Sequence, residues 1–200
     1  MPWLCILTAK NLAVTIHLDK DSISVLINSK IETKKLDLKE LESLSSELGV
    51  LLKEKNYFFT TAESCTGGWV GQSLTSVPGS SSWYGCGFIT YSNIAKHKVL
   101  DVSKETLNSY GAVSQEVVEE MVKGALIKSR ANLGVAISGI AGPGGGTPER
   151  PVGTVCLAWK LNNLPALSVT EVFDGSREEV RFKSVSKALE EAINLLKNDN

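Results

Sequence analysis

The chain has 200 residues, 42% of them hydrophobic and 22% charged, with a formal net charge of −1. A chain of this length buries roughly 70% of its unfolded surface, so one domain with a real core and at most a small appendage is expected. The near-neutral charge gathers neither nucleic acid nor an anionic membrane, and no apolar run approaches the roughly 20 residues that span a bilayer.

The start, "MPWLCILTAKNLAV", has an apolar patch without a preceding basic stretch or a small-residue cleavage site, and is not read as a signal peptide. Residues 12–29 read as a hairpin. Val14, Ile16 and Leu18 alternate, "DKDS" turns, and Ile23, Val25 and Ile27 alternate again. Residues 36–55 read as a helix with Leu38, Leu41, Leu44, Leu48 and Leu51 on one stripe and Asp37 as cap. Strands and helices then alternate. "YFFTTA" is a strand and "GGWVGQSLTSV" a helix; "GFITYS" is a strand, and "NIAKHKVL" a helix with Asn93 as N-cap. A short helix lies near 103–109, and a long one begins at Ser114. "LGVAISG" is a strand, followed by the loop "IAGPGGGTPERPVG". "TVCLAWK" and "ALSVTEVF" pair. "SREE" opens the last helix as a capping box, with Ser176 as cap, Glu179 reaching back, and Val180, Leu189, Ile193 and Leu196 on the buried face. Such alternation builds an α/β layered sheet, in which ligands sit at the carboxyl ends of strands. Three exits stand out: after Ala62, Tyr91 and Ser138.

The first exit, "AESCTGG", sets Glu63, Ser64 and Cys65 side by side before a helix. A hydroxyl at a helix start is either an N-cap or a nucleophile whose developing oxyanion meets unpaired N–H groups. A serine nucleophile needs a base. The two histidines, His17 and His97, are not drawn to it by any motif, and GxSxG is absent. Lys96 lies in the first turn of a helix, where the dipole disfavours a cation and lowers its pKa. Cys65 is a rival nucleophile, since a helix start would lower a thiol pKa, or else a small buried hydrophobe. The third exit carries Gly142, Gly144, Gly145 and Gly146. It is neither a Walker A loop nor GxGxxG, but its backbone suits an anion cradle. Cys5, Cys65, Cys86 and Cys156 form no CxxC pair, so no metal site or redox motif is expected, and free thiols fit a cytoplasmic setting.

Together "AESCTGG", "GSSSWYGCGFITYSNIAK", "YGAVSQEVVEEM" and "SGIAGPGGGTPERPVGTV" resemble the CinA carboxyl-terminal domain family over about residues 38–197. The resemblance implies a three-layer α/β/α sandwich with a mixed sheet of about five strands. It implies hydrolysis of the carboxamide of nicotinamide mononucleotide (NMN) to nicotinic acid mononucleotide and ammonia, without metal or organic cofactor. It implies Ser64 as nucleophile, Tyr91 and Lys96 as the base pair, and oxyanion donors near Thr66 and Gly67. Ser81 and Ser138 match further family serines. Gly142, Gly144, Gly145 and Arg177 would hold the nucleotide. Residues 37–200 would form the amidohydrolase domain and residues 1–36 a hairpin extension, with the protein a homo-oligomer that binds neither nucleic acid nor membrane. Ile94 departs from the family, in which an acid is usual inside "YSNEAK". A silent nucleotide- or partner-binding module and a thiol hydrolase using Cys65 remain the alternatives.

Overall fold

The computed structural model describes residues 6–9, 12–19, 22–28, 37–162 and 164–199. The chain divides into two units, Met1–Leu36 and Asp37–Asn200. In the first, β1 (Ile6–Ala9), β2 (Leu12–Asp19) and β3 (Ser22–Asn28) form an antiparallel sheet in that order. The expected hairpin is β2 and β3, with Asp19 opposite Ser22, and the turn residues 20 and 21 lie outside the described residues. Strand β1 is an addition, because a four-residue apolar run carries too few positions to reveal a period.

In the second unit, α1 (Leu38–Lys55) starts at Asp37, whose side chain accepts from the Lys39 N–H. Its buried stripe is Leu41, Ser45, Leu48, Gly49 and Leu52. The expected stripe drifts off this face: Leu38 is exposed, and Leu44 and Leu51 are half-buried. Asn56 turns left-handed and Tyr57 N–H returns to the Leu52 carbonyl, so β4 begins only at Phe59 and runs to Glu63. Next come α2 (Trp69–Thr75) and a 3₁₀ turn, Ser80–Ser82. Strand β5 (Tyr84–Ile89) starts earlier than the sequence indicated, because it pairs in parallel with β4, Tyr84 beside Phe59 and Ile89 beside Glu63. Tyr91 and Ser92 leave the sheet. Ser92, not Asn93, caps α3 (Asn93–Leu100) by accepting from the Ala95 N–H; Asn93 is the first helical residue. Helices α4 (Lys104–Tyr110) and α5 (Gln115–Ser129) start at Ser103 and Ser114. Strands β6 (Leu133–Gly139), β7 (Thr154–Leu161) and β8 (Leu167–Val172) complete the sheet, and α6 (Arg177–Asn198) opens with the full Ser176–Glu179 capping box.

The strand order is β5-β4-β6-β7-β8. Strands β5, β4 and β6 run parallel, and β7 pairs antiparallel with both β6 and β8, which makes a mixed five-stranded sheet. Helix α5 covers one face, with α3 and α4 packed against it, and α1, α2 and α6 lie on the other. The strands explain the layering. Ala62, Ala136 and Ala158 form a small-residue floor under Val117, Val118, Met121 and Val122 of α5. Opposite them, Val135 pairs with Trp159, whose indole N–H donates to the Ala188 carbonyl of α6 at 2.9 Å.

Close approach also fixes α5 against α3. A Cβ on Gly124 would stand 2.0 Å from the Leu100 carbonyl oxygen. Alanine gains about 1 kcal/mol of helix propensity, but a clash with backbone cannot relax by a rotamer change. Gly124→Ala should therefore destabilise by about 2 kcal/mol and lower Tm by roughly 5 °C, read by thermal unfolding.

Candidate active site

Three strand ends meet at one edge of the sheet, and each delivers part of the site. Strand β4 ends in Glu63, buried beside the turn to α2. Its carboxylate accepts the N–H groups of Gly68 (2.9 Å), Val70 (3.1 Å) and Gly71 (3.0 Å). An acid before a seven-residue helix satisfies the donors that helix cannot satisfy itself. This corrects the expectation that Ser64 stands at the helix start. The helix begins five residues later, and its first donors belong to Glu63.

Ser64 is instead set in a turn beyond β4. Its N–H donates to the Ile137 carbonyl of β6 (2.9 Å), and its own carbonyl accepts from the Gly67 N–H (3.1 Å). The side chain is 8% exposed. Its Oγ accepts a 2.9 Å hydrogen bond from Lys96 Nζ, which also donates to the Thr90 carbonyl at 2.9 Å. Lys96 is 1% exposed, and burial lowers its pKa to about 8. The direction is the one expected, but the cause is loss of solvent rather than the helix dipole. A buried ammonium with two partners is costly, and a neutral amine is not.

Cys65 behaves otherwise. It is buried, and burial pushes its thiol up to about 11. The lowered value expected of a helix-start thiol is absent, because desolvation dominates and α2 starts four residues further on.

The remaining candidates fall into two groups. Arg177, in the first turn of α6, donates through Nη1 to the Gly142 carbonyl (2.8 Å) and through Nη2 to the Tyr91 hydroxyl (3.2 Å). One guanidinium thus ties the second exit to the third. Tyr91 is 63% exposed, and its hydroxyl is engaged by Arg177 rather than by Lys96 or Ser64. The residue lies between the end of β5 and the cap of α3, so it projects from the sheet edge, while Lys96 folds back beneath Thr90. The backbone N–H groups of Gly142, Gly144 and Gly145 meet no acceptor among the described residues, and Gly142 and Gly145 have φ of 83° and 89°. Ser138 is the penultimate residue of β6; its hydroxyl donates to the Ala112 carbonyl at 2.7 Å. Thr66 is buried, and its Oγ1 has no partner among the described residues.

Ser81 is not brought to this edge. It precedes β5, whereas Ser64 follows the parallel strand β4, so the length of a six-residue strand, about 20 Å, separates the two ends. Ile94 is 67% exposed and lines a groove with His97 and Leu107, away from the buried Lys96. His97 is accounted for by the Val102 carbonyl, 2.9 Å from its Nδ1. The side chain of His17 and all of Cys5 lie outside the described residues. Among the described residues no group of three or more His, Cys, Asp or Glu side chains could hold a metal ion, and no helix is long and apolar enough to cross a membrane.

The sequence did not single out Arg181. Its Nε donates to the Cys65 carbonyl (3.1 Å) and its Nη2 to the Thr66 carbonyl (2.7 Å), and the guanidinium lies 5.1 Å from the Trp69 ring centroid. The available signal was its spacing of four from Arg177, which puts both cations on one helix face.

The chain as a whole has relatives among known proteins. Residues 41–196 match the family model described as CinA C-terminal domain. The chain is 46% identical over 155 residues to "Nicotinamide-nucleotide amidohydrolase PncC" of Enterobacter agglomerans, covering 78% of this chain and 94% of that protein. It is 48% identical over 151 residues to the protein of the same name from Escherichia coli (strain K12), covering 76% and 92%. The crystal structure of the competence/damage inducible protein CihA from Agrobacterium tumefaciens superposes with a TM-score of 0.76 at 44% identity, covering 78% of this chain and 95% of that one. With the match spanning most of the chain and nearly the full length of these relatives, the protein belongs to the CinA C-terminal domain family.

Proposed function

We propose that this protein is a nicotinamide-nucleotide amidohydrolase. It hydrolyses the carboxamide of NMN to nicotinic acid mononucleotide and ammonia. The observation that carries the chemistry is the buried 2.9 Å contact between Lys96 Nζ and Ser64 Oγ. The substrate follows from the relatives' names, at nearly half identity over nearly their whole length.

Neutral Lys96 takes the Ser64 proton as Oγ attacks the carboxamide carbon, and the Thr90 carbonyl holds Nζ in place. The Thr66 N–H, which meets no acceptor among the described residues, receives the oxyanion. The Gly67 N–H is withdrawn from that role, since it closes the turn onto Ser64. The C–N bond breaks, and the proton on Lys96 leaves with the nitrogen as ammonia. Water, deprotonated by the same amine, then cleaves the Ser64 ester. Arg177 and the Gly142–Gly145 backbone bind the phosphate, with Tyr91 steadying Arg177 at the mouth of the site. Residues 37–200 carry every group in this scheme. We place the reaction in the cytoplasm and the protein in a homo-oligomer; the exposed Ile89 at the end of the edge strand β5 supports the latter, and light scattering checks it.

Ammonia release from NMN by wild type, Ser64→Ala and Cys65→Ala tests the proposal. Release by wild type and Cys65→Ala, with Ser64→Ala lower by about 10³-fold or more, is the expected pattern. Loss only in the cysteine variant would move the nucleophile to Cys65. Absence of release from folded wild type would overturn the assigned reaction.

A further inference from the structure

We infer that Arg181 is a positioning residue for the reaction proposed above: by holding the Cys65 and Thr66 carbonyls it presets the Thr66 N–H as the oxyanion donor. The inference rests on the serine-nucleophile reading. A trans peptide plane points its C=O and N–H in opposite directions. A guanidinium that fixes the Cys65 carbonyl therefore fixes the Thr66 N–H, two residues from the nucleophile. Fixing the Thr66 carbonyl does the same for the Gly67 N–H, which closes the turn on Ser64. A planar fork suits two neighbouring carbonyls, and an ammonium point charge does not. The cation rests on Trp69, which in turn meets Phe182 edge-on with ring centroids 6.2 Å apart, so the clamp is held from below. Nothing else among the described contacts constrains the Cys65–Thr66 plane from outside the turn. Arg181 borders a shallow surface depression of about 350 Å³ lined also by Gly67, Gly68 and Gln72, so a small solute reaches it.

Arg181→Met keeps an unbranched apolar side chain beside Trp69 and removes both bonds; Arg181→Lys keeps only the charge. With NMN as substrate, kcat for the methionine variant should fall on the order of 100-fold, as for loss of an oxyanion donor, with KM changed less than about threefold. The lysine variant should recover little. The midpoint of the pH–rate profile should stay at its wild-type position, and added guanidinium chloride at millimolar concentration should restore part of kcat to the methionine variant. A rise in KM with kcat intact would make Arg181 a substrate ligand instead. An unchanged kcat, or a loss that guanidinium does not repair and that follows a lowered Tm, would equally overturn the inference.

A second readout separates this from the choice of substrate. Phenylmethanesulfonyl fluoride sulfonylates an activated serine: the Oγ–S bond forms, the S–F bond breaks, fluoride leaves and the proton goes to Lys96. Intact mass follows the rate. Slower modification of Arg181→Met than of wild type supports the inference even where NMN proves not to be the substrate. Equal rates in the two proteins overturn it even where NMN is hydrolysed. A wild-type protein that neither releases ammonia nor is sulfonylated overturns both.

Discussion

Lys96→Met should abolish ammonia release, by about 10³-fold or more in kcat, while leaving the fold as stable as before or more stable. The two halves of this result come from one fact. Lys96 is almost wholly buried, and its pKa falls from 10.5 to about 8. The unfolded chain therefore holds this proton up to a higher pH than the folded one. By linkage, burial of the cation costs about 3 kcal/mol below pH 8, and the cost fades as pH rises from 8 towards 10.5. Methionine removes that cost at pH 7. Against it stand the lost bonds to Ser64 and Thr90, with the Thr90 carbonyl left unsatisfied at about 1–2 kcal/mol. The net change at neutral pH should lie between zero and about 2 kcal/mol of added stability, measured by urea unfolding at pH 7. A variant that lost activity because it lost several kcal/mol would show that Lys96 is structural. The expected combination is the signature of a residue kept at the expense of the fold.

Glu63→Ala should have the opposite character, with stability lost first. Three N–H groups converge on this carboxylate, and two of the three distances lie at or under 3.0 Å. Alanine strands all three donors at the start of a helix too short to hold itself in place. Each buried orphan costs about 1–3 kcal/mol, partly relieved by entering water, so a total of about 3–5 kcal/mol is expected. Glu63→Gln should recover only part of it, because its amide turns a donor towards donors. Urea unfolding reads the loss. Activity of whatever remains folded should also fall, since Glu63 directly precedes Ser64. Full stability in Glu63→Ala would mean that water replaces the carboxylate at no cost.

How much of this was legible from the amino acids depends on how far apart the partners lie. Asp37 and the Ser176–Glu179 box were readable as caps because each acts within three residues. Asn93 was misassigned because Ser92, one residue earlier, competes for the same role and wins by reaching the Ala95 N–H. The low pKa of Lys96 was anticipated in direction, but its cause lies in burial that no local pattern encodes. The rise in the Cys65 pKa has the same origin. Ser81 was grouped with the site only through the family resemblance, yet β5 lies between it and "TYSNIAK", and a strand carries its two ends to opposite edges of the sheet. The spacing of Arg181 from Arg177 was legible, but its partner was not, because the bond to Thr66 spans 115 positions. The α/β layering was legible throughout, since alternation of periods is a property of the whole chain.

The most direct test of the central claim is the pH dependence of kcat/KM for ammonia release from NMN by wild type, from about pH 6 to about pH 10. The base must be neutral to take the Ser64 proton, so activity should rise with pH through a single step centred near 8, the value burial sets for Lys96, and then level off. A profile that is flat across this range, or one that falls as Lys96 loses its proton, would contradict the assignment of Lys96 as the base for Ser64.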